Sequence, residues 1–565
     1  MNHIHSKNRW TKYLHPFIII LAWLPTGTIS ILKAQTPTCI LGRPTDNSVT
    51  LSVVFDQNVN FQVEYGVAPS SYIQMTTLTT AQSQIPNVFD LTNLLQNKRY
   101  YYRIKFRKQG TVTFLYSPEY SFHTQRSPGS TFTFVIEADE HLYDKKGVRS
   151  LYEIAIANQA ADRPDFMFSL GDMFGDDHTP ETTTSQDMKE LHLDYLKYLG
   201  KICHSAPFFF CLGNHEGENG YYLDQNNGEN IAVYGTLWRK YYYPNPYPNG
   251  FYTGNTEQEG FSISYPENYY AFTWGDAQFI VLDVYRHCDI NEKPKNWDWT
   301  LGEKQYQWFR KTLEESDSKY KFVFAHHTRG QGRGGIKTAR AFEWGGYNGD
   351  NGNNYQFDTY RPGWGLPIHN LMVKHGVDVY FQGHDHVYAR EMLDGIVYQT
   401  LPMPSDSTYK LGIEANGDAF TGTILEGCGH LRVTVSPECT NIEFVSAWLP
   451  KDTLSGEHKN REIAHSYTIG NCTSANEEVS DNQFIKCIVS PNPANSNIRV
   501  KTDIFIYEDG YAFITDIHGR IIAIQQVPSG VSDVHFKVQD LPAGLYACTV
   551  GTNRLLYSSK FIVSK

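Results

Sequence analysis

Residues of metal-ligand type recur in this chain in one setting, each a few positions after an apolar run. FTFVI (132–136) leads into Asp139 and His141, and FMFSL (166–170) into Gly171 and Asp172. FFFCL (208–212) leads into Gly213, Asn214 and His215, FVFA (322–325) into His326 and His327, and VDVYF (377–381) into Gly383, His384 and His386. The donors are nitrogen and oxygen, with no thiolate, which suits borderline-to-hard cations such as Fe, Mn or Zn. Asp139, His141, Asp172, Asn214, His326, His384 and His386 are too many ligands for one ordinary coordination sphere. With one carboxylate shared, they supply four donors to each of two metals. Chance does not account for the pattern. GHxH (383–386) is expected roughly 0.06 times and GNHE (213–216) roughly 0.004 times in a chain of this composition.

Such residues need strands to carry them. Between about 130 and 465, apolar β-runs alternate with helical patterns. VRSLYEIAIANQAA (148–161) and SQDMKELHLDYLKYL (185–199) both place apolar residues at i, i+3 and i+4, which predicts helices and an α/β layered core. Ligands in open α/β sheets bind at the carboxyl ends of strands, so five such ends side by side would assemble the donors. Gly171, Gly213 and Gly383 allow tight strand-to-loop turns. The segments 217–270 and 330–365 read as long loops rich in Gly, Asn and Tyr, whose Tyr243, Tyr347, Tyr355 and Trp364 would line a cleft.

At 565 residues the chain is long enough for three or four domains. Residues 36–126 carry short alternating runs separated by turn residues and predict an all-β sandwich. Residues 466–484 have linker composition, and the last 80 or so residues read as all-β again. A formal charge of −11 argues against a nucleic-acid binder. Lys7, Arg9 and Lys12 before the apolar 17–24 run predict a secretory signal cleaved near Ala34, and no later stretch reaches membrane-spanning length. Export exposes the nine cysteines to oxidation; Cys428 and Cys439 flank an apparent hairpin and are the first pair to consider.

The ordered set DxH, GD, GNHE, H and GHxH resembles the calcineurin-like metallophosphoesterase superfamily, over roughly residues 130–450. VDVYFQGHDHVYARE resembles the GHxHxYER segment of purple acid phosphatases. These also carry a fibronectin-like domain before the catalytic one, and RYYYRI (99–104) is similar to a fibronectin type III stretch. The resemblance implies an α/β fold, a four-layer αββα metallophosphoesterase sandwich flanked by an N-terminal all-β fibronectin III-like domain and a C-terminal all-β sorting domain. The implied boundaries are a signal at 1–34, the first β-domain at 35–126, the phosphoesterase at 127–465, a linker at 466–485 and the tail at 486–565. It further implies that Asp139, His141 and His386 bind one metal and that Asn214, His326 and His384 bind the other, with Asp172 bridging. A hydroxide held between the metals would be the nucleophile, and His215 would assist the leaving oxygen. Two cations roughly 4 Å apart suit an in-line displacement at phosphorus. Glu216 beside His215 would keep that imidazole protonated. His327, Arg329 and Arg333 could contact the substrate phosphate, Arg through a bidentate fork.

One feature departs from the purple acid phosphatase pattern. MFGDDH (173–178) offers no Tyr beyond Asp172, and His141 stands at the corresponding metal, which argues against a coloured ferric–tyrosinate site. VSPNP (489–493), ITDIHGRII and the terminal KFIVSK resemble the C-terminal sorting domain of type IX secretion substrates in Bacteroidetes. That implies the type IX machinery as a partner and passage through the periplasm to the medium or the outer-membrane surface, with the tail then removed. The expected function is a secreted binuclear-metal phosphoester hydrolase, acid phosphatase-like, acting on a phosphorylated small molecule or macromolecule. Nucleic acid enters only as a nucleotide substrate. The opposing reading is a non-catalytic cell-surface binding protein on the same fold.

Overall fold

The computed structural model describes residues 36–143, 147–174, 179–290, 294–328, 332–349, 353–411, 417–470, 488–501, 510–517, 520–528, 533–551 and 556–565. The expected signal, Arg329, Cys472 and Cys487 lie outside the described residues. Two compact units emerge, residues 1–472 and 473–565.

The predicted strands are present, but they do not share one sheet. Phe132–Glu137, Phe166–Ser169 and Phe208–Phe210 run parallel in a six-stranded sheet completed by the antiparallel Gly429–Val435, Cys439–Ser446 and Ile463–Gly470. Tyr320–Phe324 and Val379–Gln382 are neighbours in a second, eight-stranded sheet, parallel to Ala277–Val281 and Ile396–Thr400. Alternation along each strand explains why two sheets form. In FTFVIE, Phe134 and Ile136 point into the core between the sheets, and Val135 points the other way to the helices. The inter-sheet core is a stack of rings. Phe168 lies 4.3 Å from Phe324 at 12°, and Phe134 meets Phe279 edge-on at 5.2 Å. Helices Arg149–Ala161 and Ser185–Leu199 cover the outer face of the first sheet, where Tyr152, Ile156 and Tyr195 pack on Val135 and Met167. Glu303–Glu314 and Ile368–Lys374 cover the second, through Tyr306, Phe309 and Leu371. The layers are therefore helix, sheet, sheet, helix.

The helix Ser185–Leu199 starts as its sequence predicts, with a capping box in which Thr184 and Asp187 satisfy each other's backbone amides. The segment 217–270 is not the plain loop its composition predicts. It contains the helix Ile231–Tyr242, whose Asn230 side chain accepts from the amide of Val233 and whose Ile231, Ala232, Gly235 and Arg239 are buried. Strand Ile463–Gly470 likewise extends the first sheet into the segment expected as linker. Only alternate residues of IAHSYTIG are covered, so its composition stays polar. The pair Cys428–Cys439 does not form. Cys428 is buried as a free thiol, and Cys439 is disulfide-bonded elsewhere. The two sit at opposite ends of the hairpin Gly429–Val435/Cys439–Ser446, roughly 20 Å of strand apart, where a bridge needs Cα atoms within about 7 Å.

Residues 36–126 form a β-sandwich. One sheet holds Thr38–Gly42, Val49–Val54 and Asn87–Leu91; the other is built on Val59–Gly66 and Arg99–Lys108. It is bonded to the layered domain directly. The amide of Leu41 donates to the Cys203 carbonyl at 2.9 Å, Tyr102 Oη to that of His204 at 2.6 Å, and Tyr252 Oη to that of Pro44 at 2.5 Å. The unit 473–565 has a core of its own, including Val500, Ile514, Val550 and Phe561, between a three-stranded and a four-stranded sheet. Among the described residues no helix is long and apolar enough to cross a membrane.

Candidate metal centre

Six of the seven predicted ligands, Asp139, His141, Asp172, His326, His384 and His386, converge at the carboxyl ends of strands of both sheets, and Asn214 follows the neighbouring strand Phe208–Phe210. Asp139, His141 and His386 offer ligand atoms within 4.8 Å of one another, as do Asp172, His326 and His384, and also His141, Asp172 and His215. Asp172 is the link: its Oδ2 lies 2.9 Å from His326 Nε2 and 3.7 Å from His141 Nε2. Asp139 Oδ1 lies 3.5 Å from His386 Nε2, and both its oxygens accept the His384 amide.

The backbone bends sharply to do this. Asp139, His141, Asp172, His384 and His386 all take positive φ, between 40° and 70°. Each non-glycine residue held there costs on the order of 1–3 kcal/mol, which the surrounding bonds must over-determine. The preceding glycines serve close approach more than conformation. Only Gly171 has positive φ, at 95°. A Cβ on Gly213 would sit 2.3 Å from Asp172 Oδ1, and one on Gly383 would sit 2.5 Å from Asp139 Oδ2. The glycines therefore leave room for the neighbouring ligand.

The nitrogen donors are oriented by hydrogen bonds on their far side. His326 Nδ1 donates to the Leu170 carbonyl at 2.8 Å, leaving Nε2 turned to Asp172 and, at 3.2 Å, to His384 Nδ1. Burial disfavours charge on His326, but Asp172 outweighs it and holds the ring up at about 9. Burial, then His327 and His326, push His384 well below the ordinary histidine range. Burial likewise opposes charge on Asp172, yet His326 and His215 keep it well below the usual carboxylate range. Asn214 Oδ1 is buried with no hydrogen-bond partner among the described residues. Buried polar atoms left so are costly, and a cation is the partner that suits an oxygen and imidazole donor set. The residues present fit a metal site.

Other predicted residues have different surroundings. Glu216 is buried and turned to backbone amides. Its Oε2 accepts from the amides of Asp172 (2.9 Å) and Gly213 (2.6 Å), and its Oε1 from those of Met173 (2.7 Å) and Phe174 (3.1 Å). One carboxylate thus ties two ligand-bearing loops together. Burial, then the charge of Asp172, raise it to about 7. His327 is also fully buried, with Nε2 3.0 Å from the Gly334 carbonyl and 3.7 Å from Asp385 Oδ2. It anchors a loop, and its ring lies 4.9 Å from that of His384. Arg333 is half-exposed; its Nη1 donates to the His384 carbonyl at 2.5 Å. The His215 amide donates to Asp172 Oδ1 at 2.8 Å, and its ring lies 4.9 Å from that of His141. Tyr243 and Trp364 are core residues, packed on Phe174 and Tyr306.

Sequence reasoning missed three supports. Asp385, inside the GHxH motif, accepts the Gly334 amide at 2.9 Å. Glu391 accepts from the amides of Ile336 and Thr421, pinning the far end of the same loop. Glu137 and Glu140 are buried together behind Asp139; Tyr152 and Gln159 donate to Glu137, and burial with the neighbouring Glu137 charge holds Glu140 well above the carboxyl range. The acids of EADEH (137–141) were the available signal.

Residues 132–388 match the family described as calcineurin-like phosphoesterase. This is a calcineurin-like phosphoesterase domain. Residues 489–564 match the secretion system C-terminal sorting domain, which marks the chain for export. Among solved structures, the chain is similar to PhoD at 17% identity and a TM-score of 0.53, over 77% of this chain and 91% of that one. It is similar to a purple acid phosphatase from seeds of yellow lupin (Lupinus luteus) at 16% identity and a TM-score of 0.49, over 77% and 74%. At these identities the likeness to PhoD speaks for the fold alone. Among curated proteins none matches. The phosphoesterase domain is thus preceded by an all-β domain and followed by a sorting domain.

Proposed function

We propose that the chain is an exported phosphoester hydrolase with a binuclear metal site, in which Asp139, His141 and His386 hold one ion, Asn214, His326 and His384 the other, and Asp172 serves both. The observation that carries this is the position of one carboxylate, Asp172 Oδ2, within 3.7 Å of imidazoles from both clusters. Metal ions held there would supply Lewis-acid stabilisation of phosphoryl oxygens and a water of lowered pKa. The chain's own residues do the rest. His215 is tethered through its amide to Asp172, so its imidazole is held at the site edge, where it can give a proton to the leaving oxygen. Arg333, held to the His384 carbonyl and half-exposed, is placed to bind a substrate phosphate. The sorting domain supports delivery by the type IX machinery, through the periplasm, to the medium or the outer surface.

The test is hydrolysis of p-nitrophenyl phosphate by the purified chain loaded with Mn, Zn or Fe, beside Asp172→Asn. Metal-dependent turnover that falls by about 10³ or more in the variant supports the reading. A folded, metal-loaded protein that turns over neither monoesters nor diesters would instead be a binding protein.

A further inference from the structure

A second cluster of positive charge lies away from the metal centre, where the N-terminal sandwich meets the phosphoesterase domain. A cavity of about 220 Å³ there is lined by Arg99, Ser121, Arg163, His204 and Ser205 among others, with no carboxylate in the lining. Arg99 comes from the sandwich strand Arg99–Lys108. Arg163 follows the end of helix Arg149–Ala161 at φ 50°. Arg99 Nη1 donates to Ser121 Oγ at 3.3 Å. Among the described residues, neither guanidinium has a carboxylate within ion-pair distance. The nearby acid is committed elsewhere: Asp165 takes a two-point bond from Arg126, at 2.7 and 2.9 Å, and another from Trp274 Nε1 at 3.1 Å. Arg99, Arg126 and Arg163 against Asp165 leave a local excess of two positive charges (3 − 1) in a chain whose total is −11. A partly buried cation without a counter-ion is costly, and Arg99 shows it: burial, together with Arg126 and Arg163, lowers its pKa against the attraction of Asp165. Hydroxyl donors complete the wall. Ser205 Oγ lies 2.7 Å from His204 Nδ1 and accepts from the Ser121 amide at 3.3 Å.

We propose that this joint binds a small tetrahedral oxyanion of the phosphate class, gripped between Arg99 of the sandwich and Arg163 of the phosphoesterase domain. Guanidinium forks match two oxygens each, and the volume admits a phosphate with a small substituent but not a nucleotide. The bound anion fastens the two domains, so it stabilises the folded chain by mass action. The site is independent of the metal centre and of the reading given to it.

The test uses the full chain carrying Asp172→Asn and stripped with chelator, so that the metal centre takes up no phosphate. Phosphate, sulfate and chloride are titrated at matched ionic strength, by calorimetry and thermal melting. The expected result is one site for phosphate, with a rise in Tm of about 2–5 °C that chloride does not give. Sulfate binding equally well supports the same site as a general oxyanion site. Arg163→Gln, at an exposed position, weakens binding about tenfold or more, as does Arg99→Gln. An equal Tm rise with chloride, or unchanged phosphate binding in a folded Arg163→Gln, overturns the proposal.

Discussion

His215 and Glu216 are neighbours in sequence, yet the structure separates what they touch. His215 has an anchored backbone beside Asp172, whereas Glu216 turns inward to four amides. Different failures follow. His215→Gln should lower kcat by about 10²–10⁴, more for an alkyl phosphate than for p-nitrophenyl phosphate, because the poorer leaving group depends more on a proton donor. Metal content, measured by elemental analysis, should not change. Glu216→Gln places an amide NH₂ against backbone N–H groups. It should cost about 2–4 kcal/mol and loosen both ligand loops. A lower Tm and weaker metal retention in titration would show it, and a variant with wild-type values for both would rule out the cradle. The donors themselves were legible as residue types because each follows its strand directly. The supporting role of Glu216 was not, since three of its four amide partners lie more than forty residues away in sequence.

At the scale of elements, Asp162 closes the end of helix Arg149–Ala161 against the first sheet. It accepts from His430 at 3.0 Å and pairs with Arg432 and Arg461, both at 2.9 Å. Burial raises its pKa, but His430 first and then the arginines bring it down to about 2. A depressed folded pKa contributes stability that is present above the unfolded value near 4 and lost as pH falls through 2. Asp162→Asn should therefore cost about 1–2 kcal/mol at pH 7, with the two proteins converging below pH 2 in pH-dependent melting. A constant gap at all pH values would show that the loss is packing and not charge. Helix 185–199 was legible to the residue through its period. Helix Ile231–Tyr242 was obscured by the Asn, Gly and Tyr around it, though Asn230 and the spacing of Ile231, Val233 and Trp238 carried some signal.

For the whole molecule, residues 1–472 and 473–565 each hold a separate core. A chain ending at residue 487 should keep the melting temperature of the phosphoesterase unit within about 2 °C and keep its hydrolytic rate, since that unit has a hydrophobic core of its own. A large drop in either would show that the sorting domain supports catalysis directly. The N-terminal sandwich is a different case, bonded through Leu41, Tyr102 and Tyr252 to the layered domain, and its removal would uncover the Cys203 and His204 carbonyls and the Arg163 face.

The sequence by itself determined the donor set, the order of strands that carries it, the two flanking β-domains and the export tail. These are written in local pattern, in apolar runs ending at ligands and in motifs that need no distant partner. Only the tertiary structure decided which strands fall in which of the two sheets, that Gly213 and Gly383 make room for Asp172 and Asp139, that His327 anchors a loop, and that Cys428 stays reduced. It alone brought Arg99 to Arg163. Each of these depends on which residues meet across long stretches of chain, as when the His384 amide reaches Asp139 across 245 positions. That pairing is set by global packing, and no local window contains it.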